Sequence, residues 1–229
     1  MRPRLGMPRL HLRAIDSTNE RARRLAAAGA PHGTLVTAGE QSAGRGRQGR
    51  TWSAPPGRAL LMSLLLRDVP ELLTLAAAVA VADVAGANAA IKWPNDVVLA
   101  DGGKVAGILA EGRPQEGWAV LGIGLNVAVR LEDLPLALRT SATTLGLEPD
   151  AVEPLLAALL DALQVRLSQE PAGLLAAYRQ RDALHGRAVR WQHGHGVAAG
   201  IDDAGRLLVD REDGVRIALE AGEVHLQRS

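Results

Sequence analysis

Residues 41–52 read QSAGRGRQGRTW and lie in a long segment, 39–57, that shows no hydrophobic periodicity. Its three arginines fall within six residues, and no acidic residue occurs from position 41 to position 57. Glycine lets the backbone approach a ligand closely, and arginine binds carboxylate or phosphate through paired donors. This composition is typical of a loop that closes over an anion. A solvated basic loop and a weak RNA-binding arginine–glycine tract share it.

On both sides of this loop the sequence alternates between strand and helix signals. The predicted strands are His11–Ile15, Gly33–Ala38, Ala59–Leu66, Ala90–Trp93, Val97–Ala100, Val105–Glu111 and Ala119–Leu125. The predicted helices are an N-terminal one capped by Ser17 and ending at Gly29, one opened by Asp68 and Pro70 and ending near Ala85, and then Glu153–Leu167 and Ala172–Ala183. A hairpin is predicted at Asp101-Gly102-Gly103.

The tail from Gly186 alternates apolar and polar residues in at least four short strands, which predicts a small β-barrel. The chain is therefore predicted to be α+β, with a mixed β-sheet packed with helices and a small C-terminal barrel. The predicted domains are 1–184, which is large enough for catalysis, and 185–229.

Composition narrows the function classes. A net charge of +1 provides no global field to hold a polyanion, so any basic function must be local. The absence of cysteine excludes disulfides, thiolate nucleophiles and cysteine-ligated metals. The basic N-terminus has no apolar stretch of signal-peptide length, and the longest apolar runs fall short of the ~20 residues that span a bilayer. We therefore expect a cytoplasmic protein without membrane contact.

A second informative segment is KWPND at residues 92–96. Pro94 forces Trp93 into an extended conformation, and Asn95 and Asp96 are able to cap their own backbone. The segment is either a rigid turn with a packed tryptophan, or a turn that presents Lys92 and Asp96 to a ligand or a metal.

Two strands complete the set of candidate segments. In KVAGILAE, residues 104–111, strand alternation predicts that Lys104 shares a face with Ala106 and Ile108. A cation there needs an anionic partner, unless Lys104 is an exposed strand-end lysine. In GIGLN, residues 122–126, two glycines mark a close approach by a ligand or a neighbouring element, or a bend in the sheet.

Taken in order, these segments resemble the biotin–protein ligase family. The resemblance rests on Ser17-Thr18-Asn19, on GRGRQGRTW at 44–52, and on the KWPND, KVAGILAE and GIGLN segments. It is specific from Ile15 to Val127 and looser in the C-terminal domain, where Gly222-Glu223-Val224 looks like the closing strand of an SH3-like barrel. It implies ATP-dependent activation of biotin to biotinyl-5′-AMP, followed by transfer to a lysine of a biotin carboxyl carrier domain. ATP and biotin are then substrates, and Mg²⁺ is expected without assigned protein ligands.

The resemblance also implies roles for individual residues. The implied catalytic residues are Lys104, which contacts the biotin carboxylate and the α-phosphate, Arg45 in the closing loop, and Asp96, which contacts the acceptor lysine. The implied biotin-binding residues are Ser17, Thr18, Asn19, Gln41, Gly44, Arg45, Gly46, Arg47, Lys104 and Gly107. The implied ATP or adenylate contacts are Arg47, Arg50, Trp52, Lys92, Asn95, Lys104 and Asn126.

Several alternatives remain beside this hypothesis. Only about 16 residues precede Ser17, too few for a helix-turn-helix, so we expect the form without a DNA-binding domain and no DNA partner. A lipoate or octanoate transferase on the related fold is the main alternative, and the GRGRQGRTW and KWPND segments argue against it. The near-neutral charge argues against a nucleic-acid-binding module. The intact Lys104 and arginines argue against a homologue that binds biotin without activating it. Formation of a homodimer is left open.

Overall fold

The computed structural model describes residues 4–220, 222 and 224–226. Its larger sheet has seven strands in the order β1-β2-β3-β7-β6-β5-β4, antiparallel except for the parallel pair β1 and β2. These strands are β1 (Arg9–Leu12), β2 (Leu35–Ala38), β3 (Ala59–Arg67), β4 (Ala90–Lys92), β5 (Asp96–Val98), β6 (Lys104–Arg113) and β7 (Trp118–Asn126). The long strands β3, β7 and β6 are adjacent, so the middle of the sheet provides a broad, rigid floor.

The α-helices are α1 (Thr18–Ala27), α2 (Leu73–Ala85), α3 (Leu136–Arg139), α4 (Val152–Arg166) and α5 (Pro171–Arg179). Helix α2 is rich in alanine and apolar all round, which is the pattern of a buried helix. It belongs to the main core together with β3, β6 and α4, and this core is filled mainly by Leu, Val, Ile and Ala, with Met62, Trp93 and Tyr178. Among the described residues, no helix is both long and apolar enough to cross a membrane.

The C-terminal region forms a second, antiparallel sheet. Its strands are β8 (Ala188–Trp191), β9 (Gly194–Ile201), β10 (Leu207–Asp210), β11 (Arg216–Leu219) and β12 (His225–Leu226). They pair in the linear order β11-β10-β9-β8-β12. The predicted α+β class, with a mixed sheet, packed helices and a separate small C-terminal β domain, is confirmed. Among the described residues, the strands of that domain form an open antiparallel sheet, and the predicted closure into a barrel is not seen.

The two sheets share one hydrophobic core. Val189 and Leu207 of the C-terminal sheet belong to the same buried cluster as Leu75 and Trp93. The Trp93 indole Nε1 also donates to the carbonyl of Gly205 across the junction, at 3.0 Å. The predicted division between residues 184 and 185 stays a prediction.

Several predicted boundaries differ from the structure. Strand β1 ends at Leu12, and helix α2 begins at Leu73 because Asp68, at φ 61°, and the turn after it interrupt the chain. Strand β4 ends at Lys92, so Trp93 belongs to the corner and not to a strand. Helix α5 ends at Arg179 instead of Ala183. In the predicted closing strand, Glu223 lies outside the described residues, and the pairing with β8 is made by His225 and Leu226. The predicted hairpin between β5 and β6 is confirmed, with Gly102 at φ 76°.

Candidate active site

A cavity of about 790 Å³ lies over the floor formed by β3, β7 and β6 and under residues 45–53. Every site residue predicted from the sequence lines it except Gly44. These lining residues are Ser17, Thr18, Asn19, Gln41, Arg45, Gly46, Arg47, Arg50, Trp52, Lys92, Asn95, Asp96, Lys104, Gly107 and Asn126. The structure therefore brings together segments that are more than 100 positions apart in the chain.

The arginine-rich loop is folded back on itself. Arg45 and Thr51 form an antiparallel bridge, and the Gly46 amide donates to the Arg50 carbonyl at 2.7 Å. The position of a side chain on Gly44 is taken by the carbonyl of Trp52, so glycine is required there for closure of the loop. Gly44 thus shapes the loop and does not line the cavity.

The loop arginines contact the body of the protein. Arg45 lies 3.2 Å from Glu111 Oε1 and 3.5 Å from Glu20 Oε2. Arg47 donates to the side-chain oxygen of Asn95 at 3.0 Å. Arg45 and Arg47 therefore tie the partly exposed loop to the body of the protein, which disfavours the interpretation as a freely solvated basic loop.

Lys104 has the anionic partner that its environment requires. Its ammonium Nζ lies 2.6 Å from Asp96 Oδ1, and the two side chains are 32% and 17% exposed. The same ammonium lies 5.7 Å from the centre of the Trp52 ring, within the range of a cation–π interaction. Cation, carboxylate and indole form one group at the edge of the cavity.

The prediction that Lys104 shares a face of its strand with Ala106 and Ile108 is wrong. Ala106 and Ile108 point into the buried core, whereas the ammonium of Lys104 lies 3.1 Å from the position that a side chain on Gly107 would take. The cause is a β-bulge opposite β5, where Val105 is an additional residue in the pairing. A bulge shifts strand alternation by one residue, and it turns Lys104 to the cavity side.

The glycines of the floor make room for neighbouring side chains. The position of a side chain on Gly122 is taken by the Asn19 amide, and that on Gly124 by the Trp52 ring. A side chain on Gly107 would lie 3.0 Å from the same ring. The glycines of GIGLN therefore mark close approach by neighbouring elements, one of the alternatives that the sequence left open.

One wall of the cavity is a buried hydrogen-bond network at the start of α1. Gln41 Oε1 accepts from the amide and the hydroxyl of Thr18, at 2.7 and 2.9 Å. Ser63 Oγ lies 2.5 Å from Asn19 Oδ1 and 2.8 Å from the Thr18 hydroxyl oxygen. Ser17 caps the helix by accepting from the Glu20 amide. Sequence reasoning missed Ser63, whose only signal is a lone hydroxyl in the apolar strand ALLMSLLL.

Both interpretations of the KWPND segment apply to the corner that it forms. Trp93 is buried, and Asn95 Nδ2 donates to the Ile108 carbonyl at 2.9 Å, as in a rigid packed turn. Lys92 and Asp96 line the cavity, as in a turn that presents side chains to a ligand. The packing of the corner thus sets the position of Asp96.

Sequence reasoning also missed a wall that comes from two distant segments. It consists of Leu134, Leu138, Thr140, Ser141 and Ala142, with Arg187, His225 and Leu226 from the C-terminal region. Backbone bonds join the first segment to β6, since the Lys104 amide donates to the Ser141 carbonyl at 2.8 Å. No motif or periodicity in these stretches indicates a site.

Asn126 is the buried polar residue beside this wall. Its Nδ2 donates to the Thr143 carbonyl at 2.9 Å, and its Oδ1 has no hydrogen-bond partner among the described residues. Among the residues that the structure describes, no group of three or more His, Asp or Glu side chains is arranged to hold a metal ion.

Comparison with known proteins identifies the relatives of this chain. The model of the biotin/lipoate A/B protein ligase family matches residues 12–127, and that of the biotin protein ligase C-terminal domain matches residues 184–226. The chain is 40% identical to the biotin–[acetyl-CoA-carboxylase] ligase of Mycobacterium tuberculosis, covering 92% of this chain and 86% of that protein. It is 36% identical to the bifunctional ligase/repressor BirA of Bacillus subtilis, covering 93% and 72%.

Among solved structures, the chain is similar to the biotin protein ligase from Aquifex aeolicus in complex with biotin and ATP. The TM-score is 0.81 at 26% identity, with 97% of this chain and 100% of that chain covered. The chain therefore belongs to the biotin/lipoate A/B protein ligase family, a class of acyl-transferring ligases. Within that family, its C-terminal domain and its relatives place it with the biotin protein ligases.

Proposed function

We propose that this chain is an ATP-dependent biotin–protein ligase that works in two steps. The biotin carboxylate attacks the α-phosphorus of ATP, the bond to the β-phosphate breaks, and biotinyl-5′-AMP and pyrophosphate form. A lysine amine of a carrier domain then attacks the acyl carbon, AMP leaves, and the amine proton is lost to the surroundings. The proposal is supported by the ligase relatives and by a cavity that gathers the required charges.

The observation that carries the proposal is the position of Lys104. In the first step one anion attacks another, so catalysis consists largely of charge neutralisation and positioning. Lys104 stands at the cavity edge between Asp96 and the Trp52 ring, and Arg45 and Arg47 approach from the loop above. We assign Lys104 to the carboxylate and the α-phosphate, and the arginines to closure over the adenylate.

We assign biotin binding to the wall at the start of α1. A ureido ring carries a carbonyl acceptor and N–H donors, so its binding site must supply both hydrogen-bond donors and acceptors. The acyl tail requires an apolar slot. Thr18 donates two hydrogen bonds to the side-chain oxygen of Gln41. The NH₂ group of Gln41 is therefore the end left to donate toward the cavity. On the floor, Leu109 supplies apolar lining, because it pairs with Gly122 on the cavity side of the sheet. These features fit the assignment of Ser17, Thr18, Asn19, Gln41, Gly46 and Gly107 to biotin.

The nucleotide is assigned to the opposite side of the cavity. The buried Oδ1 of Asn126 is an acceptor that suits an amino or hydroxyl donor of the adenylate. Trp52 and Arg50 line the same cavity, as do Lys92 and Asn95. Of the described residues that line it, Asp96 is the only acidic one, so Mg²⁺ would be held mainly by phosphate oxygens and water.

The second step needs a group that receives the acceptor lysine. Asp96 is proposed for that role because its carboxylate lines the cavity beside Lys104. The partner is a biotin carboxyl carrier domain, and we place the reaction in the cytoplasm, where ATP and such carriers are found together.

A biotin-dependent exchange of pyrophosphate into ATP tests the function directly. We expect exchange with biotin, and none with lipoate or octanoate at the same concentration. Exchange that depends on lipoate or octanoate would assign the chain to the alternative branch of the fold. A folded protein without exchange in the presence of biotin would exclude the activation step.

A further inference from the structure

Asn19 is held at both ends of its side-chain amide. Its Nδ2 donates to Glu111 Oε2 at 2.9 Å, and its Oδ1 lies 2.5 Å from Ser63 Oγ. A carboxylate only accepts hydrogen bonds, so Glu111 determines which end of the amide is the NH₂ group. The amide lies directly over Gly122, and only 4% of Asn19 is exposed. Glu111 therefore sets the orientation of a cavity-lining amide.

The second oxygen of the same carboxylate contacts the arginine-rich loop. Glu111 Oε1 lies 3.2 Å from Arg45 Nη2 and 3.8 Å from Arg23 Nη1. Glu111 is 21% exposed, whereas Arg45 is 44% exposed, so the carboxylate is the more shielded partner. One side chain thus joins the wall assigned to biotin to the loop assigned to closure.

Glu20 is a natural comparison for Glu111. It also lies 3.5 Å from Arg45 and 3.5 Å from Arg23, and it belongs to the same cluster of charges. Its carboxylate also pairs with Arg24, its backbone amide donates to the Ser17 hydroxyl, and its carboxylate does not bond Asn19. A role that depends on total negative charge near Arg45 would be shared by both acids, whereas a role that depends on Asn19 belongs to Glu111.

We propose that Glu111 is a positioning residue, which orients Asn19 for biotin and holds Arg45 of the loop near that same wall. It rests on the proposed function, because Asn19 and Arg45 act on biotin and its adenylate. A ligand that binds at Asn19 therefore contacts an amide whose oxygen and NH₂ ends are fixed. Arg45, the loop arginine that closes over the ligand, is bound to the same carboxylate before closure. Loss of the charge at position 111 should therefore weaken biotin binding and loosen the loop together.

The first experiment measures exchange kinetics for Glu111→Gln, Glu20→Gln and Glu116→Gln. Gln at 111 keeps the shape but loses the charge-assisted bonds, and we expect a rise on the order of 10-fold in the KM for biotin. The KM for ATP should change less than about 2-fold. Glu20→Gln should leave the KM for biotin unchanged. Glu116 pairs with Arg113 outside the cavity, so Glu116→Gln serves as the general control.

The second experiment needs no catalysis and uses ligand-free protein. Trypsin cleavage after the loop arginines should be several-fold faster in Glu111→Gln than in Glu116→Gln, because Arg45 loses its shorter ion pair. An unchanged KM for biotin in an active Glu111→Gln protein would overturn the proposal, as would equal rises in both KM values. An unchanged cleavage rate would overturn the proposal whether or not the wild type is active. Absence of exchange in the wild type would count separately, against the proposed function.

Discussion

Replacing Lys104 by methionine removes the charge that neutralises the reacting anions and keeps most of the side-chain volume. Two unit charges about 4 Å apart interact by roughly 4 kcal/mol at an effective dielectric constant near 20, which suits a side chain that is 32% exposed. Loss of a single electrostatic group at a reacting centre commonly lowers kcat by about 10²–10³-fold. We expect Lys104→Met to lower pyrophosphate exchange by that factor.

The effect on stability should be much smaller. Asp96 loses its partner, but the pair is neither fully exposed nor fully buried, so the cost is about 1–2 kcal/mol. For a chain of 229 residues this lowers the Tm by about 2–8 °C. The variant should therefore be folded at the assay temperature, which calorimetry and circular dichroism check.

A double variant separates catalysis from structure. Lys104→Met combined with Asp96→Asn removes the unpaired charge, so it should recover most of the lost Tm without restoring exchange. Recovery of exchange in the double variant would mean that the lysine only compensates Asp96. Exchange within about 3-fold of wild type in Lys104→Met alone would refute the reasoning on charge neutralisation.

Four further predictions concern the loop, the floor and the junction of the two sheets. Arg45→Ala should release biotinyl-5′-AMP several-fold faster, because the loop loses its contact with Glu111; equal retention in a trapping assay would remove Arg45 from closure. Biotin plus ATP should slow protease cleavage within residues 41–50, and an unchanged rate would count against an ordering loop. Gly124→Val should displace the Trp52 ring, which occupies the space of the new side chain, and lower the Tm by about 2–12 °C from overpacking of about 1–3 kcal/mol; a Tm equal to wild type contradicts this packing. Burial raises the pKa of Asp182, so its folded-state pKa lies above the unfolded value and wild-type stability falls as the pH rises through this interval. Asp182→Asn should therefore gain stability relative to wild type as the pH rises above about 4, and a difference in Tm that is constant from pH 3 to 7 would contradict it.

The segments with special residue types could be identified before the structure. Proline restricts the backbone at the Trp93-Pro94 corner, whereas the glycines among the arginines at 44–50 and at 122 and 124 allow turns and close approaches that other residues do not. The alternation of apolar runs likewise predicted the mixed sheet, its helices and the short C-terminal strands. These predictions depend on interactions between near neighbours in the chain, and such interactions are written in the sequence.

Other features of the site depend on pairings that periodicity does not reveal. Strand alternation placed Lys104 with Ala106 and Ile108, and a single additional residue in the pairing with β5 reversed that placement. Ser63 looks like one polar residue in an apolar strand, and its role follows from the position of α1 above it. The wall at 134–142 has no distinctive composition and becomes part of the cavity through backbone bonds to β6.

By itself, the sequence determined the α+β class, the resemblance to biotin–protein ligases and those segments of the cavity that carry its motifs. The tertiary structure alone decided which face Lys104 occupies, which acids hold Arg45, and how Asn19 is oriented by Glu111 and Ser63. The physical reason is that a backbone conformation is set by the residues next to it. The meeting of side chains far apart in the chain is set by strand register, and one bulge is enough to change that register.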